Sequence, residues 1–441
     1  MTSLTNYFSI MQKYYPDRII KKLANLQLAI GLLLTIGIVV ALGTLIEQDQ
    51  SLAFYKQNYP YTKPVLGFLN WELIIFLNLD HIYTAWWFLL FLFLFGLSLL
   101  ACTLSVQLPA LRRFRRWKFY TNLSKVQSVE KVLPLNTTNS FTYQLHSFNY
   151  HTFRQGKKNY AYSGLLGRAG PIVVHASIIL LLLGSTIGSF SGYMAQEVVP
   201  RGEVFHAQNL IKFGSLSNIP QNISWRVNDF WITYTDTLKT NQFYSDLSLL
   251  DTFGNEIKRK TIFVNEPFVF KGITLYQTDW DIVGLKLQQQ NNLTSQIPLK
   301  KITKNGRKFW FGSLNVPGLN SKPFSIIIND LEGSLYLYDG TGTLLKKCTL
   351  GENITLPNKQ NLMFIDFLTS TGLQIKEDPG IKTVYLSFLF LIISVYASFI
   401  TYSQIWSAEN HQNLVLAGNS NRAVLFFQAE FRKILNKTLK K

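Results

Sequence analysis

Four uninterrupted apolar runs constrain this chain more than any other feature of its sequence. They cover residues 26–46, 85–108, 171–190 and 383–402. A helix needs about 20 apolar residues to cross the hydrocarbon core of a bilayer, so each run is long enough to span it. The sequence therefore predicts four transmembrane α-helices, with both ends of the chain on the same side of the membrane.

Positive charge is distributed unevenly among the segments between these runs. Residues 1–25, 109–168 and 404–441 together contain 21 Lys and Arg against 4 Asp and Glu, whereas residues 47–84 and 191–380 sum to no net charge. Basic segments stay on the inner side of a membrane. We therefore expect the termini and the 109–168 loop in the cytoplasm or stroma, and the other two segments on the exported side.

The net charge of +18 would raise the question of nucleic acid in a soluble protein. Here the basic residues are explained by topology. The cluster from Arg112 to Lys118 directly follows the second run, where a topology determinant is expected, and residues 403–441 are predicted to be a basic tail. The alternative for the cluster is binding of anionic lipid or a partner. We expect no nucleic-acid partner.

Alternation with a period of two is frequent in the large exported segment, residues 191–380. Residues 223–227, 230–234 and 334–338 alternate in this way, and turn signals such as Lys304-Asn305-Gly306 separate the strands that they predict. This pattern is typical of antiparallel β structure with one buried face. The segment is therefore predicted to be an all-β domain, a sandwich or an open barrel of ten or more strands.

The inside loop, residues 109–168, is predicted to be a short α/β insert. Alternation over residues 141–145 predicts a strand, and Gly156-Lys157-Lys158-Asn159 predicts a turn. His146 and His151 are five residues apart, which is a poor spacing for a metal site on a helix. We expect both histidines on the surface.

Motifs for independent catalysis are missing from the exported segment. It contains no GxSxG, HExxH or Walker motif and no cluster of Cys and His at metal-ligand spacing. His206 is expected on the surface, and Asp279 and Asp281 fit a solvated edge better than an acid/base pair. Cys102 and Cys348 lie in opposite environments and cannot pair. The sequence predicts an accessory protein rather than an enzyme.

One ionisable side chain, His175, lies inside the third apolar run. Pro171 in the first turn is typical of a helix start, which places His175 about one turn into the helix. Leu182 shares the face of His175, whereas Gly184 and Gly188 point the opposite way. Small residues let a neighbouring helix approach closely. We therefore expect this helix to be enclosed by neighbours on two sides.

The chemistry of His175 allows three uses. An ionisable residue inside a membrane helix is a functional-site hypothesis by default, and a neutral imidazole is a good ligand of haem iron. A proton relay usually needs further acidic or histidine side chains at membrane depth, and the other three runs contain none. The residues alone leave open haem or metal ligation, interhelical hydrogen bonding and a proton relay.

Eight short motifs occur in order along nearly the whole chain. They are Gly43-Thr44-Leu45-Ile46-Glu47-Gln48, Leu79-Asp80 through Trp86-Trp87, Gly170-Pro171 with His175-Ala176-Ser177, Asp229 through Tyr234, Tyr244 through Leu249, Val264-Asn265-Glu266-Pro267, Tyr276 through Trp280, and Gly372 through Ile375 with Asp378-Pro379-Gly380. Each motif is weak alone. Their shared order and the topology resemble the ResB/CcsB family, the β-domain membrane subunit of System II cytochrome c biogenesis.

The resemblance implies that His175 is an axial ligand of haem b within the third helix, shared with a CcsA-type partner membrane protein. It implies that haem is carried across the membrane and attached to c-type apocytochromes, such as cytochrome f, on the lumenal side. Thiol-reducing pathway proteins are further expected partners. The chain lacks a CcsA-type half, as in the split form of plastids and cyanobacteria. This implies a multi-pass protein of the thylakoid membrane with stromal termini and a lumenal β domain.

Four further residues are secondary candidates for the site. His81, Trp86 and Trp87 could line a surface where an aromatic, amphipathic ligand emerges, although ordinary aromatic-belt anchors explain the two tryptophans. Asp378 lies in the turn before the last run. The alternative function is a membrane-tethered β-domain scaffold or receptor that docks apocytochrome or a partner without binding haem itself.

Overall fold

The chain folds into two compact units, the membrane unit (Met1–Ser185 and Lys382–Lys441) and the β unit (Thr186–Ile381). The computed structural model describes residues 17–62, 64, 67, 69–120, 123, 129–235, 240–289, 294–304, 307–315, 323–329, 333–356, 361–410 and 413–440.

The helices are α1 (Asp17–Leu23), α2 (Leu26–Leu45), α3 (Leu52–Asn58), α4 (Trp71–Phe76), α5 (Trp86–Cys102), α6 (Leu108–Phe114), α7 (Thr138–Ser147), α8 (Leu166–Ser191), α9 (Ile381–Ser398) and α10 (Val424–Leu439). A 3₁₀ helix, Leu79–Thr84, precedes α5, and a π-helical turn, Thr103–Gln107, joins α5 to α6. Another 3₁₀ helix, Leu135–Thr137, precedes α7.

Four helical segments of the described chain are long and apolar enough to cross a membrane: α2, the continuous stretch Trp86–Phe114, α8 and α9. Their outward faces are apolar, as Leu34 and Phe93 illustrate, each more than half exposed. Within a bilayer the backbone must satisfy its own hydrogen bonds, which a helix does. The prediction of four transmembrane helices is confirmed.

Helix α8 begins earlier than its sequence suggests. It starts at Leu166, so Pro171 lies inside it. Gly170 makes this tolerable, because a residue without a Cβ avoids part of the steric clash that normally excludes the helical conformation before proline. The prediction that His175 lies one turn into the helix was wrong, since about two and a half turns precede it.

Helix α8 packs against α5 on one side and α9 on the other. A Cβ built on Gly96 of α5 would lie 3.5 Å from Leu182 of α8. On the opposite face, a Cβ on Gly184 would lie 3.1 Å from Thr383 and Val384 of α9. These contacts place the His175 face towards α5 and the glycine face towards α9, as the helical periodicity predicted.

The strands are β1 (Val129–Pro134), β2 (His151–Gln155), β3 (Lys158–Ser163), β4 (Tyr193–Pro200), β5 (Val204–Phe205), β6 (Leu210–Phe213), β7 (Ile223–Tyr234), β8 (Thr240–Asp251), β9 (Glu256–Phe263), β10 (Phe268–Phe270), β11 (Ile273–Gln289), β12 (Thr294–Pro298), β13 (Lys300–Lys304), β14 (Arg307–Leu314), β15 (Phe324–Ile328), β16 (Ser334–Tyr338), β17 (Leu344–Thr349), β18 (Asn353–Thr355), β19 (Asn361–Glu377), β20 (Ser403–Asn410) and β21 (Asn413–Ser420).

The membrane unit carries a five-stranded antiparallel sheet in the order β1-β21-β20-β3-β2. Helices α7 and α10 pack on it, and Phe141, Leu145, Phe427 and Phe431 share its core. The described residues 403–410 and 413–440 are thus folded, where the sequence suggested only a basic tail. The strand predicted from Phe141, Tyr143 and Leu145 is wrong, because these residues lie in α7.

Among its described residues, the β unit contains three antiparallel sheets. Two have the strand orders β13-β14-β15-β16-β17 and β5-β7-β8-β9. The third has the order β10-β11-β19-β4-β6, with β12 paired to β11 and β18 to β19. Its central strands β11 and β19 each have 17 residues, and three irregularities interrupt their pairing. The all-β prediction is confirmed, and in the described residues these sheets are open rather than closed into a barrel.

Cys348 of β17 is fully buried in the core of the β unit. Burial raises the pKa of its thiol to about 11. We expect the native protein carrying Cys102→Ser to resist a maleimide at pH 8, because only about one thiol in a thousand is then ionised and the sulfur is covered. Mass spectrometry of the labelled protein checks this. Labelling should become complete in denaturant, and fast labelling of the native protein would contradict the buried placement.

Candidate functional site

Both ring nitrogens of His175 have polar neighbours on the second membrane span. Nδ1 lies 3.1 Å from Oγ1 of Thr103, and Nε2 lies 3.1 Å from Nε2 of Gln107. Thr103 and Gln107 are the first and last residues of the π-helical turn. The side chain that the sequence singled out is therefore held between two spans, facing a short polar patch in an otherwise apolar helix.

Pro109 explains why the helix widens at this point. Proline has no N–H to donate and its ring clashes with the carbonyl four residues earlier, so a regular helix cannot continue through it. The N–H of Leu108 donates instead to the carbonyl of Thr103, five residues back. The hydroxyl of Ser105 donates to the carbonyl of Ala101 at 2.5 Å. Single π turns of this kind occur frequently at functional sites.

Hydrogen bonding around His175 determines which ring nitrogen carries the proton. The hydroxyl of Thr103 donates its one proton to the carbonyl of Leu99 at 2.7 Å. Towards His175 this hydroxyl can therefore only accept, so Nδ1 carries the ring proton. Nε2 is then unprotonated and accepts from the amide of Gln107. This tautomer presents at Nε2 the lone pair that a metal ion binds.

Gln107 is an incompletely satisfied partner of Nε2. Its Oε1 is buried and has no hydrogen-bond partner among the described residues. A buried acceptor without a partner costs roughly 1–3 kcal/mol. A ligand that takes Nε2 therefore displaces a side chain whose hydrogen bonding is already incomplete.

A cavity of about 310 Å³ adjoins this polar patch on the basic side of the membrane unit. Its lining residues are Gln107, Ala110, Leu111, Phe114, Gly167, Arg168, Pro171, Asn421 and Arg422. Gln107 belongs to the cavity wall and also contacts Nε2 of His175. The histidine and the cavity are therefore parts of one site, built from the π-helical turn, α6, α8 and the segment before α10.

The secondary candidates His81, Trp86 and Trp87 lie at the other end of α5, roughly 25 Å from the π-helical turn. His81 is half-exposed, with Nδ1 2.6 Å from Asp49 and Nε2 3.3 Å from Asp80. Trp86 is exposed, and Trp87 donates through Nε1 to the carbonyl of Leu77 at 3.0 Å. The structure does not bring these side chains together with His175.

The remaining candidates lie in the β unit. Asp378 accepts from the N–H of Gly380 at 3.2 Å and lies 3.6 Å from Lys376. His206 is exposed, as expected. Asp281 accepts from Nε1 of Trp310 at 2.5 Å. Asp281 also lies 3.8 Å from Nζ of Lys301, and Asp279 is exposed.

Sequence reasoning missed Thr103, Gln107, Arg168 and Arg422. The available signal was a Thr and a Gln four residues apart in an apolar run, directly before Pro109. Neither side chain is ionisable, so neither stands out in an apolar run as His175 does. The two arginines were counted only as topology determinants.

This chain is similar to known proteins over nearly its whole length. The model of the ResB-like family matches residues 26–309 and 343–432. The chain is 55% identical to a "Cytochrome c biogenesis protein Ccs1" of Emiliania huxleyi, over 97% of this chain and 98% of that protein. It is 45% identical to the Ccs1 of Porphyra purpurea, over 96% of each chain.

A cyanobacterial protein of Picosynechococcus, "Cytochrome c biogenesis protein CcsB", is 41% identical over 95% of this chain and 91% of its own. Among solved structures, "Cytochrome c Heme Lyase CcmF" matches 84% of this chain and 39% of its own chain, at 10% identity and a TM-score of 0.24, too weak to indicate a shared fold. The family match and the near full-length relatives lead to one conclusion: the chain belongs to the ResB-like family.

Proposed function

We infer that this protein is a cytochrome c biogenesis subunit that holds haem within the membrane through Nε2 of His175. The observation that carries this proposal is the hydrogen-bonded chain from Leu99 through Thr103 to Nδ1. It leaves Nε2 without a proton, so that the lone pair of this nitrogen is available at the interface of two membrane spans. A metal-bound histidine usually donates its other ring N–H to an oxygen acceptor, which fixes the tautomer and raises the basicity of the ligand.

Interhelical packing and a proton relay are less well supported uses of His175. Packing alone gives no reason for a buried amide whose oxygen has no hydrogen-bond partner among the described residues. A relay needs a proton acceptor beyond the ring, and the groups within reach are a hydroxyl and an amide. Haem ligation uses the lone pair directly.

Haem is the cargo in this proposal, and the chain supplies one axial ligand to it. A CcsA-type partner supplies the second ligand, since the described spans of this chain contain no further histidine. The haem then passes to c-type apocytochromes for covalent attachment, which the complex carries out rather than this chain alone. The names of the relatives from algae and a cyanobacterium support this assignment.

The proposed location is the thylakoid membrane of a plastid or a cyanobacterium. The basic segments, including the folded residues 403–410 and 413–440, would face the stroma or cytoplasm. The β unit would face the lumen and offer a docking surface for apocytochrome or partner. The excess of Lys and Arg in the segments assigned to the stroma supports this orientation.

The test is the haem content and visible spectrum of the protein purified with its CcsA-type partner, comparing the unmodified protein with His175→Ala. We expect the variant to lose a low-spin haem signal while the complex still assembles, because alanine offers no axial ligand. His151→Ala is the matched control, since His151 is exposed in the same unit. It should retain the full signal.

An unchanged haem content and spectrum in His175→Ala would overturn the proposal. In that case His175 packs between helices, and the chain is a scaffold that docks apocytochrome or partner without binding haem. Size-exclusion chromatography shows whether the variant still assembles with its partner. This measurement separates both outcomes from misfolding of the variant.

A further inference from the structure

We propose that the cavity beside His175 is a carboxylate-binding subsite, in which Arg168 and Arg422 receive the two propionates of the haem. This proposal rests on the proposed function, because it places the iron at His175. It adds two anchoring residues to a site for which the sequence named only the axial ligand.

Arg168 is pre-positioned by aromatic rings and lacks an anionic partner. Its guanidinium carbon lies 3.9 Å from the centroid of the Phe114 ring and 5.3 Å from that of Tyr402. Its Nε is buried and has no hydrogen-bond partner among the described residues. Stacking holds the planar group in place and leaves its edge donors free. A buried guanidinium N–H without an acceptor indicates a missing ligand atom.

Arg422 brings a second guanidinium to the same cavity. One of its nitrogens, Nη1, donates to the carbonyl of Ser398 at the end of α9, at 3.0 Å. Within the part of the chain that the structure describes, neither Arg168 nor Arg422 forms an ion pair with a carboxylate. Two like charges on one cavity wall repel each other. A dianionic ligand removes this repulsion and gains charge-assisted hydrogen bonds.

The spacing of residues along α8 places Arg168 within reach of a ligand bound at His175. Arg168 lies seven residues before His175 on α8, so both side chains project from the same face, roughly 10 Å apart along the axis. The propionates of a haem extend from one edge of the macrocycle, away from the iron by a comparable distance. Gln107 contacts Nε2 and lines the cavity, so the two places are continuous.

An anionic lipid headgroup would also bind Arg168 and Arg422, because it is negatively charged like a carboxylate. The continuity between the cavity and Nε2 favours haem, because a headgroup has no need of a metal-binding nitrogen beside it. The experiment must therefore separate the two anions, and the charge on the propionates gives the means to do so.

The test is a titration of the purified full-length protein, in detergent, with iron protoporphyrin IX and with its dimethyl ester, which carries no propionate charge. Absorbance gives the Kd of each. We expect the unmodified protein to prefer the diacid by about tenfold or more, since hydrogen bonds between charged groups are strong. Arg168→Gln and Arg422→Gln should each remove most of that preference while leaving the affinity for the ester unchanged.

Arg113→Gln is the matched control, because Arg113 lies on α6 close to the cavity but is exposed and outside its wall. It should keep the preference for the diacid. Equal weakening of diacid and ester in Arg168→Gln would assign that residue a purely structural role and overturn the proposal. Unchanged preference in both cavity variants would also overturn it.

Native mass spectrometry of the same variants addresses the lipid. Loss of a bound anionic lipid from Arg168→Gln, with no change in the preference for the diacid, would assign the cavity to a headgroup and overturn the proposal. Failure of the proposed function gives a different result. In that case His175→Ala leaves the spectrum of the bound haem unchanged, whatever the arginine variants do.

Discussion

Replacing Gly167 or Gly170 with alanine is expected to prevent stable folding of the membrane unit. A Cβ on Gly167 would lie 1.8 Å from the carbonyl oxygen of Ile400. A Cβ on Gly170 would lie 2.4 Å from Oγ and 2.7 Å from the backbone nitrogen of Ser398. All three distances are below any real carbon contact, and most of the clashing atoms belong to the backbone.

No change of side-chain rotamer relieves these clashes, so helix α8 and the end of α9 must move apart. Overpacking in a close-packed interface costs about 1–3 kcal/mol and occasionally more, and we expect these two positions at the upper end or beyond. The separation also removes small-residue contacts that hold membrane helices together in the absence of a hydrophobic driving force. Arg168 and His175, which lie on the displaced helix, lose their partners as well.

The measurement is the midpoint of thermal unfolding of the purified protein in detergent, together with its level in the membrane. Gly31→Ala and Gly37→Ala on α2 are matched controls, because a Cβ at either position meets nothing within 4 Å. These controls should unfold like the unmodified protein or slightly later, as alanine favours a helix over glycine. If Gly167→Ala unfolds at the same temperature as Gly37→Ala, the close packing of α8 on α9 is wrong.

The membrane spans and the β unit were predictable because each follows a pattern that one physical rule imposes. A run of 20 apolar residues leaves the backbone no alternative to a helix in a bilayer. Alternating side chains in the exported segment match the two faces of an antiparallel strand. His175 stands out as a candidate for the same reason, because an ionisable residue inside such a run is a functional-site hypothesis by default. Its role stays a prediction.

The fold of the inside segments was not predictable from local patterns. Phe141 and Leu145 are four residues apart and both buried, whereas Tyr143 is exposed, which fits a helix. Three alternating residues are too few to separate a helix from a strand. The hairpin of β20 and β21 finds its partners β1 and β3 more than 200 residues earlier in the chain. Such pairing leaves no local signal in the sequence.

The environment of His175 also depended on features beyond local sequence. Whether Thr103 and Gln107 face His175 depends on the rotation of α5 relative to α8. The π-helical turn changes that rotation by interrupting the regular hydrogen bonds. The sequence contained Pro109 as a cause, but proline in a helix can produce a kink, a break or a bulge. Only the arrangement of both spans identifies the result.

Thr103→Val should weaken haem binding by about 10–100-fold, the usual effect of removing the hydrogen-bond partner of a metal-bound histidine. Valine has nearly the shape of threonine but cannot accept the proton of Nδ1. The ring then loses the contact that fixes its tautomer and its orientation towards the iron.

Gln107→Leu should instead strengthen haem binding, because it removes the amide that competes for Nε2. A hydrogen bond of about 1 kcal/mol corresponds to roughly fivefold tighter binding.

Thr103→Val and Gln107→Leu are expected to change haem affinity in opposite directions. This difference distinguishes the assigned tautomer of His175 from its alternative. If Nε2 carried the proton, Gln107 would accept it through Oε1, and leucine would remove a favourable contact rather than a competitor. Haem titration of each variant, followed by absorbance, measures both effects. Thr103→Ser restores the hydroxyl and should recover binding, while Thr35→Val, at an exposed hydroxyl on α2, should leave it unchanged. Unaltered affinity in Thr103→Val would show that Nδ1 does not depend on this hydroxyl.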